Sequence, residues 1–237
     1  YGPDREQRNL VRLEDLPRHL SDAVLAVEDQ RFESHHGVDL RRIAGAFVAN
    51  VRAGGIRQGA STLTQQLVKN FFLTPEQTLQ RKFTEAVMAL LVEARYDKGA
   101  ILESYLNEIY LGQRGSTEIH GVGEAASFYF GKPASQLTVA ESALLAAIVQ
   151  SPNRISPHRH LERARERRDL VLKLMHEQGR LTRAEYETAL ASPILVAAVT
   201  PEEGESRYFL DVLRRQLPEA YDKDSYASGS WRRSTSR

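Results

Sequence analysis

Between Glu28 and Gly37 the chain reads Glu-Asp-Gln-Arg-Phe-Glu-Ser-His-His-Gly, so two adjacent carboxylates and two histidines fall within ten residues. Side chains of that kind, so close together, suit acid/base chemistry. A second polar run, Ser61-Thr62-Leu63-Thr64-Gln65-Gln66-Leu67-Val68-Lys69-Asn70, carries more hydroxyls and amides than a helix cap uses. A third cluster sets Arg81, Lys82 and Glu85 within one turn of a helix. Taken singly, each has a plain explanation: a solvated helix end, an N-cap, or an i,i+4 ion pair worth roughly 0.2–0.5 kcal/mol.

Taken together, the clusters supply separated carboxylates and a cationic group of Lys69, Arg81 and Lys82. One carboxylate could take a proton from an attacking hydroxyl while the cations neutralise charge growing on departing phosphates. Carboxylates alone would equally suit glycoside hydrolysis, in which a carboxylic acid protonates the leaving oxygen. A pyrophosphate needs no such protonation, so the cations favour transfer from a diphosphate donor over cleavage of a glycoside. These residue types leave the role of each carboxylate open.

Composition narrows the setting. The 237 residues carry 32 Lys and Arg against 31 Asp and Glu, a formal charge of +1, so no whole-molecule field recommends a nucleic-acid partner. With no cysteine, disulfides and thiolate metal sites are excluded. No apolar run reaches the ~18–20 residues of a membrane span, and residues 1–10 lack a signal-peptide pattern. A chain that starts with Tyr1 is expected to be a fragment from which an upstream anchor has been removed.

The elements that must position these clusters read as helices. Pro17 opens one that runs through Val27 and delivers Glu28 to its end. Leu40 to Val51 is an amphipathic, cationic helix bearing Ile43, Ala44, Phe47, Val48 and Val51, and Gly54, Gly55 and Gly59 form a mobile connection after it. In the helix from Thr78 to Tyr96, Phe83, Val87, Leu90, Leu91 and Ala94 are placed toward a core, with Arg81, Lys82, Glu85 and Glu93 around them. Lys98 to Tyr110 is closed by Gly112, and a small-residue helix, Val122 to Phe130, stops before Pro133. Thr138 with Glu141, and Thr182 with Glu185, are capping boxes for an apolar helix through Val149 and a short one to Ala191. A polar loop between Pro152 and Pro157 and a charged helix from Leu161 to Gln178, capped by Gly179, fill the interval. No run of alternating strands stands out. The reading is a mainly α chain: a lead-in over 1–10, one domain over 11–193, and a linker over 194–237 that includes a helical piece from Arg207 to Leu217 and whose end resembles a cloning scar.

Five ordered motifs resemble those of the peptidoglycan glycosyltransferase family: Glu-Asp-x-x-Phe-x-x-His-x-Gly (28–37), Gly-x-Ser-Thr-x-Thr-Gln-Gln (59–66), Arg-Lys-x-x-Glu (81–85), Ile-Leu-Glu-x-Tyr-Leu-Asn-x-x-Tyr-x-Gly (101–112) and Gly-x-x-x-Ala-x-x-x-Tyr-Phe-Gly-Lys (121–132). His120 stands where relatives carry Arg. The segment Arg207-Tyr208-Phe209-Leu210 looks like the lead-in to the transpeptidase domain of a class A penicillin-binding protein, but neither Ser-x-x-Lys nor Lys-Thr-Gly occurs.

The resemblance implies a lysozyme-like helical domain that polymerises lipid II into β-1,4 glycan strands, inverts the anomeric carbon and releases undecaprenyl pyrophosphate. By the same implication Glu28 is the general base, and Glu85 supports the donor pyrophosphate directly or through a divalent cation, Mg or Mn. Lys69, Arg81 and Lys82 match donor phosphate contacts. Asp29, Ser61, Thr62, Gln66, Asn70, Tyr105, Asn107 and Tyr110 match cleft residues, while Phe32, His35 and Gly37 support the turn. Implied partners are lipid II, the growing strand and the membrane surface, with Phe47, Val48 and Ile56 as contacts, and the inhibitor moenomycin. The implied location is the periplasm or outer face of the cytoplasmic membrane. Two other readings compete: a lysozyme-like muramidase or lytic transglycosylase, and a non-catalytic helical module that binds glycan or membrane.

Overall fold

The computed structural model describes residues 9–53, 59–72, 78–114 and 117–198. The chain divides into two compact units, Tyr1–Ala197 and Ala198–Arg237. The second unit beyond Ala198, including the helical piece expected from Arg207 to Leu217, lies outside the described residues.

In the first unit α1 (Arg18–Glu28) starts behind Pro17, whose locked φ suits the cap position, and stops where Asp29 leaves helical backbone. A short 3₁₀ turn, Phe32–Ser34, then leads to α2 (Leu40–Ala53). α3 (Leu63–Phe72) and α4 (Leu79–Arg95) pack together, and α3 also packs on α5 (Lys98–Glu108). Thr78 caps α4 by accepting from the Arg81 N–H, and Asp97 caps α5 by accepting from that of Ala100. Next come the strands β1 (Tyr110–Arg114) and β2 (Thr117–His120), then α6 (Gly121–Phe130), ended by the left-handed Gly131.

α7 (Val139–Val149) forms the centre of the core. Its residues from Ala140 to Ile148 are buried except Glu141, and it packs against α1 and α9 (Leu161–Glu177). Helices buried on all sides have this uniform apolar composition. Between them lies α8 (Pro152–Ile155), and α10 (Arg183–Ala191) packs on α9. Both expected capping boxes form, with Thr138 and Thr182 each exchanging bonds with the Glu three residues on.

The structure differs from the sequence reading at three places. The segment after α5 is an antiparallel hairpin, with Gly112 opposite Ile119 and a bulge beside Tyr110. Gly112 therefore lies within β1 at φ 134°, where a Cβ would meet the Tyr129 hydroxyl, and does not close a helix. The polar loop between Pro152 and Pro157 contains the single turn α8. Most informative is α4, whose polarity is reversed: Phe83 is 72 % and Leu91 64 % exposed, whereas Glu85 is 1 % and Ala89 0 % exposed. Glu85, Ala89 and Glu93 recur every fourth residue, so they form the inward stripe.

Ala89 faces inward because the turn after α1 comes against it. Gly37 adopts φ 82°, and a Cβ on it would lie 2.6 Å from the Ala89 carbonyl oxygen. Gly37→Ala combines a left-handed cost of about 1–2 kcal/mol with an overpacking cost of about 1–3 kcal/mol. A urea melt should show a loss of roughly 2–5 kcal/mol, and a loss below about 0.5 kcal/mol would contradict this packing.

Candidate active site

α1 brings Glu28 to its last turn, 8 % exposed. Its Oε2 accepts from Gln66 Nε2 at 2.8 Å, while Oε1 is buried with no hydrogen-bond partner among the described residues. Burial raises the Glu28 pKa above its ordinary 4.5, and the neighbouring Asp29 adds to this; the Gln66 bond and Arg42 pull the other way without overcoming it. Gln66 is itself oriented, because the Tyr105 hydroxyl donates to its Oε1 at 3.2 Å. Burial and the nearby charges of Glu28 and Asp29 push the Tyr105 phenol well up, which keeps it a neutral donor. The amide nitrogen of Gln66 is thereby turned toward Glu28.

Asp29 does different work. It is fully buried, and its Oδ2 accepts from His35 Nε2 at 2.9 Å and from the Leu63 N–H at 2.9 Å. Arg42, on α2, lies 3.8 Å from Oδ1 and also donates to the Glu28 carbonyl. Thr62 and Gln65 form a capping box at the start of α3, with bonds of 3.0 and 3.2 Å, and the Thr62 hydroxyl reaches the Gly37 carbonyl at 2.6 Å. Phe32 is buried edge-on to His35. The turn 28–37 is thus sewn to the N-terminus of α3.

The cationic cluster connects to the same helix. Lys82 donates to Ser61 Oγ at 2.8 Å and pairs with Glu85, which also lies 3.4 Å from Arg81 Nη1. Arg81 keeps a buried Nε without a hydrogen-bond partner among the described residues. Lys69 and Asn70 are exposed in the last turn of α3. Hydrogen bonds therefore join Glu28, Gln66, Tyr105, Asp29, His35, Thr62, Gly37 and the start of α3, and Ser61 extends the set to Lys82 and Glu85.

Two residues implied by the resemblance have their hydrogen bonds outside this network. Asn107 holds the N-terminal segment: its side chain pairs with both the N–H and the carbonyl of Val11 and also bonds the Glu103 carbonyl. Tyr110 donates to Asn153 at 3.1 Å and packs on His120. His120 caps the hairpin through the Glu108 carbonyl and Glu118; burial opposes its protonation, but those partners outweigh it and hold its pKa above the usual value. Sequence reasoning missed Arg42 and left Glu93 as a flanking charge; its spacing from Glu85, through Ala89, was the available signal.

A carboxylate made more basic by burial and a second one paired with cations thus lie within one helical unit. The chain belongs to the transglycosylase family, whose model, described as Transglycosylase, matches residues 1–176. It is 46 % identical over 224 residues to penicillin-binding protein 1B of Vibrio cholerae, covering 93 % of this chain and 29 % of the relative. It is 43 % identical over 221 residues to penicillin-binding protein 1A of Aquifex aeolicus, covering 93 % of this chain and 30 % of the relative. The crystal structure of penicillin-binding protein 1A from Haemophilus influenzae matches at TM-score 0.51 and 26 % identity, over 90 % of this chain and 22 % of that one. The chain spans about three tenths of the length of the curated relatives it matches. The domain is accordingly a glycosyltransferase of peptidoglycan synthesis with the lysozyme-like helical fold.

The raised pKa of Glu28 has a signed consequence for stability. An acid whose folded-state pKa is raised holds its proton more tightly when folded, so stability falls as pH rises from the unfolded value through the folded one. Glu28→Gln removes that penalty, and its thermal midpoint at pH 8 should exceed the parent's, with the gap closing at pH 4. An equal or lower midpoint at pH 8 contradicts the burial cost.

Proposed function

We propose that the domain polymerises lipid II into β-1,4-linked glycan strands, releasing undecaprenyl pyrophosphate. The observation that carries this reading is Glu28 Oε1, a buried carboxylate oxygen without a partner among the described residues on a group of raised pKa. It takes the proton of the acceptor 4-hydroxyl as that oxygen bonds the anomeric carbon of the donor. The bond from this carbon to the pyrophosphate oxygen breaks on the opposite face, inverting the centre. Charge on the departing diphosphate is neutralised by Arg81, Lys82 and Lys69.

The surroundings of Glu85 do not form a ready cation cradle. Both carboxylate oxygens face Lys82 or Arg81, and no group of three His, Cys, Asp or Glu side chains able to hold a metal occurs among the described residues. A divalent ion, Mg or Mn, would therefore need donor phosphate oxygens beside Glu85 to complete its coordination.

Lipid-linked substrates call for contact with a membrane, and the apolar faces of α2 and α4 support that partner. Leu40, Val48 and Val51 on α2, like Phe83, Leu90 and Leu91 on α4, are exposed, with Arg41 and Arg52 on the same cationic helix α2. The side chain of Phe47, and Ile56, lie outside the described residues. No described helix is long and apolar enough to cross a membrane. We place the domain at the outer face of the cytoplasmic membrane, where moenomycin would compete for the donor contacts.

With lipid II, a divalent cation and detergent, Glu28→Gln should slow polymerisation by about 10²–10⁴-fold, the usual contribution of a general base. Parent-like polymerisation by this variant removes Glu28 as the base. The acid limb of kcat/KM should lie above the ordinary carboxylate value of 4.5, because only ionised Glu28 accepts the proton. A limb at or below that value contradicts the assignment.

A further inference from the structure

Behind the Glu28 turn lies a buried charged cluster that the transfer mechanism does not use. The Glu93 side chain is 2 % exposed; its Oε1 accepts from Thr64 Oγ1 at 2.6 Å and its Oε2 from Lys98 Nζ at 2.6 Å. Lys98 Nζ also donates to the His35 carbonyl at 2.7 Å and stands 4.3 Å from the centroid of the Phe32 ring. An ammonium has three N–H donors, and here two oxygens and an aromatic face account for its directions. Lys98 is therefore a fixed tie.

An ion pair serving only to join α4 to α5 would be complete with Glu93 and Lys98. The contact to the His35 carbonyl is additional, and it falls on the turn that aims the site. His35 Nδ1 lies 3.9 Å from Glu93 Oε1, while its Nε2 holds Asp29. Asp29 in turn holds the first N–H of α3, and Gln66 on that helix holds Glu28. We propose that Lys98, anchored on Glu93, is a positioning residue for glycosyl transfer, fixing the 32–35 turn so that Glu28 stays aimed at the acceptor hydroxyl. This rests on the reading of Glu28 as the base.

The test measures kcat and KM for lipid II with Lys98→Met, Lys98→Arg, His35→Asn and the His35→Asn/Lys98→Met pair, with thermal midpoints recorded throughout. Lys98→Met should lower kcat by about 10–100-fold, the cost of disturbing the support of a catalytic group. KM should stay within about twofold, since Lys98 bonds none of the cations assigned to the donor, and Lys98→Arg should recover most of the rate. The pair should be no slower than His35→Asn, because both act along one path. Parent-like kcat in Lys98→Met, a loss confined to KM, or additive losses in the pair overturn the proposal. Should Lys98→Met fail to fold, Glu93→Gln/Lys98→Met, which leaves no buried charge without a partner, carries the same expectation. A fully active Glu28→Gln would remove the base and this inference together. An inactive Glu28→Gln beside a fully active Lys98→Met removes only the positioning role.

Discussion

The fold around the site depends on a carboxylate that has almost no access to water. Asp29 lies at the end of α1, fully buried, and is tolerable there because His35, the Leu63 N–H and Arg42 surround it. Breaking such a set leaves a buried charge uncompensated, at a cost of about 3–5 kcal/mol. The consequence is geometric: one side chain joins the end of α1, the turn after it and the first residue of α3. Glu28, the next residue back, inherits its position from that junction.

This arrangement explains why two neighbouring carboxylates differ. Asp29 takes two hydrogen bonds on Oδ2, and its Oδ1, without a hydrogen bond among the described residues, faces the Arg42 guanidinium at 3.8 Å. Glu28 accepts from Gln66 alone among its side-chain partners and keeps Oε1 free of hydrogen bonds among the described residues. Its pKa therefore rises with burial. One acid ties three segments together, and the other is the one to which the proposed mechanism gives the proton transfer, a division set by environment.

Much of this was legible in the residues. Glycine, proline and capping boxes marked most helix ends, and the clusters at 28–37, 59–66 and 81–85 do meet around α3. The hairpin was not legible, because β1 and β2 are five and four residues long and only Leu111, Gly112 and Ile119 are buried in them. The orientation of α4 was misjudged for a different reason. Its periodicity was real, but the apolar stripe was assigned inward by the ordinary rule for a soluble helix, whereas Glu85, Ala89 and Glu93 occupy the interior. Reversal of that rule leaves Phe83, Leu90 and Leu91 at the surface. The bonds of Asn107 to Val11 were not legible either, because they join residues 96 apart in the chain.

In the proposed mechanism the turn 28–37 and the start of α3 hold Glu28 and, through Ser61, the Lys82–Glu85 pair on one support. A crystal structure of the domain with a non-hydrolysable, pyrophosphate-bearing donor analogue and an acceptor glycan tests it most directly. The account predicts phosphate oxygens bonded to Arg81 and Lys82, with the acceptor 4-hydroxyl within hydrogen-bond reach of Glu28 Oε1. Phosphates bound away from these cations, or an acceptor that leaves Oε1 untouched, would contradict it.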